Sequence, residues 1–293
     1  MTMLHALLEP LQYGFMLKAL LCSAVIGGVC ALLSVFLLLK GWSLIGDALS
    51  HAVVPGVAVA YLWRLPYSLG AFTTGFFAAA AMLILRRLPM LRQDAVIGFV
   101  FTVFFAAGLL ITSIYPTAVD LQAVIYGNIL GIDDSDLWQM LAIAGVSLLV
   151  LALKWRDFML LFFDEVQAVT AGLSVRRLQW LFFALVSAAV VAALQTVGAI
   201  LVIALLITPG ATAFLLAKRF GVVLLYALAI GVLTAVAGAY GSYFLDTATG
   251  AVIIVLQSVL FLLAFGIKHL AMRRVAHEQG APAHQPARAG EGA

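Results

Sequence analysis

The chain has 293 residues, of which 65% are hydrophobic and only 10% are charged. A soluble globular domain carries roughly 25% charged residues, so this composition excludes one. The apolar residues form continuous runs of about 20 residues, which is the length of a membrane-spanning helix, whereas the strands of a membrane barrel would alternate. The sequence therefore predicts an all-α, polytopic membrane protein.

Nine apolar segments follow one another along the chain, and we expect eight or nine of them to span the membrane. The stretch 178–217 is almost continuously apolar, so a short re-entrant or interfacial piece is an alternative there. The nine segments together predict a transmembrane domain over residues 1–271. A polar cytoplasmic tail, 272–293, follows, and we expect it to be disordered. The segments are 14–39, 43–62, 67–85, 95–115, 137–153, 178–194, 197–217, 221–240 and 249–267.

The second segment carries two ionisable residues, Asp47 and His51, which lie four residues apart and so share one helix face, about 6 Å from each other. An Asp at the bilayer centre costs roughly 2.5–3.5 kcal/mol, so such residues face protein or a polar pathway and are functional by default. Asp and His also suit a divalent transition metal as ligands. Ser50 adds a hydroxyl. Pro55 removes the helical hydrogen bond to the His51 carbonyl, which predicts a kink that frees this oxygen for water or an ion.

The alternative is that Asp47 and His51 form a local hydrogen-bonded pair that only holds helices together. A carboxylate and an imidazole beside a helix-breaking proline favour a functional role over this purely structural one. One helix supplies two ligands, however, whereas sites of the Mn²⁺ type take about six. A two-fold dimer would place two copies of the pair around one axis.

The stretch 154–177 is longer than a tight turn and contains a helix-like pattern. Asp164 and Glu165 stand at its start, Ala168 lies within an apolar run, and Gly172 follows as a C-terminal glycine would. We expect a short helix at the membrane surface that docks a cytoplasmic partner. The alternative is an ordinary charged loop.

A second polar cluster consists of Gln195 and the group Thr208-Pro209-Gly210. Pro209 predicts another helix break, and transporters build their pathways from interrupted helices of this kind. For Gln195 and Thr208, a pathway role and simple packing are equally open, because a Thr hydroxyl readily bonds to its own helix backbone.

The basic residues are sorted by membrane side. With nine spans and the C-terminus inside, fourteen of the sixteen Lys and Arg residues lie in the cytoplasm, and Lys18 and Arg64 are left outside. The positive-inside rule therefore predicts an external N-terminus and a cytoplasmic C-terminus. We expect no nucleic-acid partner, since the cations follow the membrane sides.

Three motifs resemble the permease subunits of ABC-type importers for manganese, zinc and iron. The resemblance covers the chain from about Leu7 to Ala271 and is strongest to the manganese/iron branch of Gram-negative bacteria, whose operons encode two related permeases. It implies the type II metal-ion permease fold in the bacterial inner membrane. The motifs are GWSLIGDALSHAVVPGVA (Gly41–Ala58), FFDEVQAVTAGL (Phe162–Leu173) and ALQTVGAILVIALLITPGATA (Ala193–Ala213).

The resemblance also implies roles and partners. Asp47 and His51 match the residues that coordinate or gate the transported metal. A coupling helix would dock in a cleft of a separate cytoplasmic ATPase, and a periplasmic metal-binding protein would deliver the ion. A second permease chain and membrane lipid complete the surroundings, with no permanent cofactor. The residues that match the coupling helix are Asp164, Glu165, Ala168 and Gly172.

We interpret the chain as the transport subunit of an ATP-driven importer that moves a divalent metal from periplasm to cytoplasm, with Mn²⁺ ahead of Fe²⁺ and Zn²⁺. It is not an enzyme in this interpretation, because it lacks a phosphate-binding loop of its own. The alternative is a stand-alone, proton-coupled secondary carrier in which Asp47 and His51 relay protons. A membrane enzyme is a more distant alternative, since no further ligand or nucleophile cluster accompanies the pair.

Overall fold

The computed structural model describes residues 9–86, 92–115 and 134–279, with side chains as far as Ala271, and its regular elements there are all helical. The predicted all-α fold class is confirmed. A short 3₁₀ turn precedes the first α-helix. The helices are α1 (Gly14–Leu39), α2 (Ile45–Ala52), α3 (Val54–Leu62), α4 (Tyr67–Leu85), α5 (Gln93–Ile114), α6 (Asp134–Phe163), α7 (Glu165–Thr170), α8 (Val175–Val197), α9 (Ala199–Leu205), α10 (Thr208–Leu216), α11 (Phe220–Leu245) and α12 (Thr249–Gln279).

Nine segments of the described residues are long and apolar enough to cross a membrane. α2 with α3, and α9 with α10, each make one interrupted span, and the other spans are single helices. The stretch 178–217 contains two spans because the chain turns at Gly198, whose φ of +81° is a conformation that residues with a Cβ rarely adopt.

Both interrupted spans break next to a proline, as predicted. The first break falls at Val53, and Pro55 lies in the first turn of α3. The second falls at Leu206 and Ile207, and Pro209 lies in the first turn of α10. Because the N–H that proline lacks has no helical acceptor in a first turn, each proline begins a new short helix.

α1 lies at the centre of the bundle and packs against α6, α8, α10 and α11. Small residues permit the closest of these approaches, since a Cβ at Gly27 would lie 2.6 Å from the carbonyl oxygen of Gly231 on α11. Such close contact is how helices associate in lipid, where dispersion forces replace the hydrophobic drive. Towards its C-terminal end, Phe36 meets Phe158 and Phe182 edge-on, with ring centroids 5.9 and 6.1 Å away.

α6 is longer than the predicted segment 137–153, because it begins three residues earlier and ends ten residues later. Sequence reasoning assigned Lys154 to a loop, but its ammonium pairs with the Asp157 carboxylate at 2.8 Å within the helix. Phe158 and Phe162, one turn apart, are then buried against the rest of the protein. The helix therefore continues past the apolar run because one of its faces packs on the bundle.

The structure describes only part of the stretch 116–136, which lies between the fourth and fifth predicted spans, and only part of the C-terminal tail. Asp134 lies in the first turn of α6, where the helix dipole favours an acid, and it pairs with Lys18 of α1. α12 runs to Gln279, so residues 272–279 of the tail that we expected to be disordered are helical. The rest of the loop and of the tail lies outside the described residues.

Candidate metal gate and coupling helix

Asp47 and His51 face each other across one turn of α2. The His51 Nε2 atom lies 3.5 Å from Oδ1 of Asp47, and the His51 and Asp47 side chains are 32% and 44% exposed, respectively. The three residues between them, 48–50, are buried. The pair therefore forms a polar, accessible face on a helix whose other sides are covered.

Two aromatic rings of α5 hold the imidazole of His51. Phe101 and Phe105 stack on each other and present their rings edge-on to the imidazole, with centroids 5.4 and 5.6 Å from it. Phenyl rings fix the orientation of the imidazole by packing and do not compete for its nitrogen atoms. The Nε2 atom is thereby left to Asp47 or to a metal ion.

The break behind the pair is tightly packed. Pro55 deprives the His51 carbonyl of its usual helical donor, and the N–H of Val53 bonds to that carbonyl instead. This oxygen therefore accepts one backbone hydrogen bond already, and its use by water or an ion stays a prediction. The Val53 carbonyl lies 3.4 Å from the Thr74 hydroxyl of α4, and a Cβ at Gly108 of α5 would lie 2.9 Å from the Pro55 nitrogen.

The other residues predicted to line the pathway lie at helix ends or within the packing. Ser50 is buried and donates its hydroxyl to the Gly46 carbonyl at 2.8 Å, so it is satisfied within α2. Pro209 is buried and Thr208 half-buried at the start of α10, and Gln195 is exposed near the end of α8. Their part in a pathway stays a prediction.

The two interrupted spans meet close to the pair. α2 packs against α9, and a Cβ at Gly46 would lie 2.7 Å from Cδ1 of Leu206, which ends α9. Gly46 immediately precedes Asp47 in the sequence. This close contact joins the second break to the helix that carries Asp47.

The part of the chain that the structure describes contains no larger cluster of metal-ligating side chains. Within residues 9–86, 92–115 and 134–271, no group of three or more His, Cys, Asp or Glu side chains is placed to hold a metal ion. The pair on α2 offers one carboxylate and one imidazole, whereas sites of the Mn²⁺ type take about six ligands.

The four residues that match a coupling helix build and anchor α7. Asp164 caps it, because its Oδ1 accepts two backbone N–H groups of the first turn at 2.9 and 3.1 Å. Glu165 pairs with Lys40 at the end of α1, at 2.9 Å. Ala168 is fully buried, and Gly172 follows the helix with a φ of +78°. The expected short helix is confirmed, and the alternative of an ordinary loop is wrong.

The exposed apolar side chains at α7 are different ones, which sequence reasoning missed. Phe163, the last residue of α6, is 77% exposed, and Val166 and Val169 of α7 are 74% and 61% exposed. The spacing of three residues places the two valines along one side of α7, whereas Ala168 is buried. The available signal was an apolar residue at every third position of a charged segment, which a solvated loop does not need.

Trp42, also missed, joins this region to α2. It is buried in the corner between α1 and α2, stacks on Phe183 of α8 and meets Phe162 edge-on, with both centroids at 5.3 Å. Its indole N–H donates to Gln93 of α5 at 3.2 Å. Phe162 lies three residues before the start of α7 and Trp42 lies five residues before Asp47, so this ring packs between the two candidate sites.

Comparison with known proteins agrees with this architecture. The chain is 58% identical over 263 residues to a probable iron transport system membrane protein of Haemophilus influenzae, covering 90% of this chain and 93% of that one. It is 45% identical over 260 residues to the manganese transport system membrane protein MntB of Synechocystis, covering 89% and 85%. The solved structure of PsaBC from Streptococcus pneumoniae in complex with Fab matches with a TM-score of 0.80 and 31% identity, over 90% of this chain and 95% of that chain. The model of the ABC 3 transport family matches residues 12–268, so the chain belongs to the ABC 3 transport family as a membrane permease.

Proposed function

We propose that this permease is the membrane-spanning subunit of an ATP-driven importer that carries a divalent transition metal, Mn²⁺ ahead of Fe²⁺ and Zn²⁺, from the periplasm to the cytoplasm. The observation that carries the proposal is the Asp47–His51 pair, with its two side chains 3.5 Å apart and accessible within an apolar span. Carboxylate and imidazole suit all three ions. The names of the iron and manganese transport proteins above support this class of cargo.

A second permease chain, identical or homologous, completes the metal site in this proposal. A carboxylate that is 44% exposed in an apolar span is costly against lipid, so protein or water must cover it. A two-fold axis beside α2 brings two carboxylates and two imidazoles around one ion, and water supplies the rest. Such a site binds the ion loosely enough to release it, as conduction requires.

A cytoplasmic ATPase docks on α7 through Phe163, Val166 and Val169. Two contacts pass the movement of α7 to the corner before α2. They are the ion pair between Glu165 and Lys40, and the aromatic contact that Trp42 makes. Movement driven by ATP binding thereby reaches the metal pair through packed side chains.

The ion enters from the opposite side, delivered by a periplasmic metal-binding protein. In this orientation the N-terminus is periplasmic and the C-terminus cytoplasmic, in the inner membrane of a bacterium. The charge distribution supports it. Lys18, one of the two basic residues left outside, is paired with the carboxylate of Asp134.

Uptake of radioactive manganese by cells that express the complete transporter tests the proposal. Asp47→Asn and His51→Gln should each abolish uptake, because each removes a ligand. Asp94→Asn is the control, since it neutralises an exposed carboxylate in the first turn of α5, away from the pair. Undiminished uptake by the double variant at normal expression would rule out the proposed role. Proton-driven uptake by the purified permease in liposomes without ATPase would establish the secondary carrier instead.

A further inference from the structure

An apolar slot opens on the side of the bundle between α1, α6 and α11. Its volume is about 350 Å³, within the range of about 300–1,000 Å³ that is usual for ligand sites. α6 and α11 both pack on α1, and the slot separates them. Apart from the indole N–H of Trp155, its lining is apolar, and it consists of Leu32, Phe36, Leu148, Leu151, Ala152, Trp155, Gly221, Leu224 and Leu228.

The slot occupies one half of the membrane thickness. Its lining runs from Leu148 to Trp155 on α6 and from Leu228 back to Gly221 on α11. Each of these stretches is about 10 Å long at 1.5 Å per residue, compared with about 15 Å for one leaflet of hydrocarbon. Gly221 lies in the first turn of α11, and Trp155 lies in the second half of α6, eight residues before that helix ends next to α7. The slot therefore extends from the membrane interior to the surface that we propose is cytoplasmic.

Four basic residues flank the lining residues in the sequence at this end of the slot, which we call its mouth. Arg156 lies 5.3 Å from the Trp155 ring, and that ring stacks on Phe220 at 6.5 Å, so α6 and α11 meet there. Asp157 pairs with one of the cations, and the other three give the mouth a net positive charge. The exposed cations next to the lining residues are Lys154, Arg156, Lys218 and Arg219.

We propose that this slot binds one anionic phospholipid of the inner leaflet, with an acyl chain in the apolar slot and the phosphate against the cations at its mouth. Basic pockets between membrane helices on the cytoplasmic side are suited to anionic head groups. A transmembrane helix of another protein would cover the apolar lining but would leave the cations without a counter-charge. The inference rests on the orientation proposed above and does not depend on the transported ion.

Gly221→Trp tests the slot with little risk to the fold. Gly221 is exposed, and a Cβ built there meets no atom within 4 Å, so an indole can enter the slot. Gly266→Trp on α12 is the matched control, because a Cβ there also meets nothing within 4 Å and Gly266 does not line the slot. The mouth is tested by the double variant Lys218→Gln and Arg219→Gln. Its control is the double variant Arg176→Gln and Arg177→Gln, which neutralises two exposed arginines at the start of α8.

Native mass spectrometry of the full-length permease, extracted from membranes that contain phosphatidylglycerol and phosphatidylethanolamine, counts the retained lipid. We expect one phosphatidylglycerol per chain, an occupancy at least tenfold lower in Gly221→Trp and in the mouth variant, and no change in either control. Equal occupancy in Gly221→Trp and the unmodified chain overturns the proposal, as does retention without preference for phosphatidylglycerol. A change in permease pairing with unchanged lipid would assign the slot to a protein interface. No transport is measured, so failure here is distinct from failure of the importer proposal.

Discussion

Truncating Val166 and Val169 to Ala should weaken ATPase docking without unfolding α7. Each substitution removes two carbon groups, worth about 1.6 kcal/mol if fully buried. The side chains are 74% and 61% exposed, so docking can bury about two-thirds of that surface, or roughly 1 kcal/mol per residue. The double variant should therefore lose about 2 kcal/mol of binding free energy, which is roughly a 30-fold increase in Kd.

The fold should tolerate this change, because neither valine contributes much to the packing of the free permease. Exposed substitutions usually alter stability by no more than about 0.5 kcal/mol, and Ala has the higher helix propensity. The matched control is the double truncation of Val146 on α6 and Val255 on α12, which are 58% and 61% exposed on the sides of the bundle. This control removes the same side-chain carbon atoms from two exposed valines that lie outside α7.

The assay is equilibrium binding of the ATPase to the permease in nanodiscs, with ATP hydrolysis in the assembled complex as a second readout. We expect the control to bind like the unmodified chain. Equal affinity of the α7 variant and the control would refute the reasoning that the exposed apolar side of α7 is the contact. Loss of affinity in Glu165→Gln but not in Lys40→Gln would show that the ATPase contacts the carboxylate directly, since both variants break the ion pair.

Three further changes probe the packing around the two sites. Gly56→Ala places a Cβ 2.0 Å from the Gly70 carbonyl oxygen, so we expect the free energy of unfolding to fall by about 1–3 kcal/mol. Its Tm should be lower than that of the control Gly98→Ala, where a Cβ meets nothing within 4 Å. Equal Tm values would show that α3 and α4 can separate. Asp164→Ala should destabilise α7 by about 1 kcal/mol and speed the hydrogen exchange of its backbone amides, whereas Asp164→Asn should keep the cap. Unchanged exchange in the Ala variant would contradict the capping role. Trp42→Phe should keep the fold but lower metal uptake per ATP hydrolysed, and an unchanged ratio would exclude Trp42 from the connection.

Much of this fold could be predicted from the sequence because lipid imposes simple rules. A helix that crosses hydrocarbon needs a long apolar run, so 14–39 and 67–85 were predicted to the residue. Proline and glycine mark helix ends through their own backbone restrictions, which located both breaks. The end of α6 was predicted ten residues too early, because its last turns are stabilised by packing of Phe158 and Phe162 on other helices, which composition does not record.

In the candidate site, too, local features could be predicted from the sequence, and features that depend on packing could not. Asp47 and His51 were identifiable because charge in an apolar segment is rare and their spacing is local. The aromatic contacts of His51, the contact between Gly46 and Leu206, and the position of Trp42 all join residues far apart in the chain. Asp164 and Glu165 were identified as an acidic helix start, but whether each acid caps the helix, pairs internally or meets a partner depends on what surrounds it.

The short length of α2 offers a physical route from docking to gating. The helix has eight residues and ends at the break at Val53, so it can turn without bending a whole span. Just before its first end, Trp42 contacts Phe162 in the last turn of α6, which leads into α7. On its side, Gly46 contacts Leu206 at the second break. In the proposed cycle, a displacement of α7 therefore rotates α2 against its neighbours instead of being absorbed by a long helix. Such a rotation moves Asp47 and His51 together, since they lie on one face, and so changes both ligands of the ion at once.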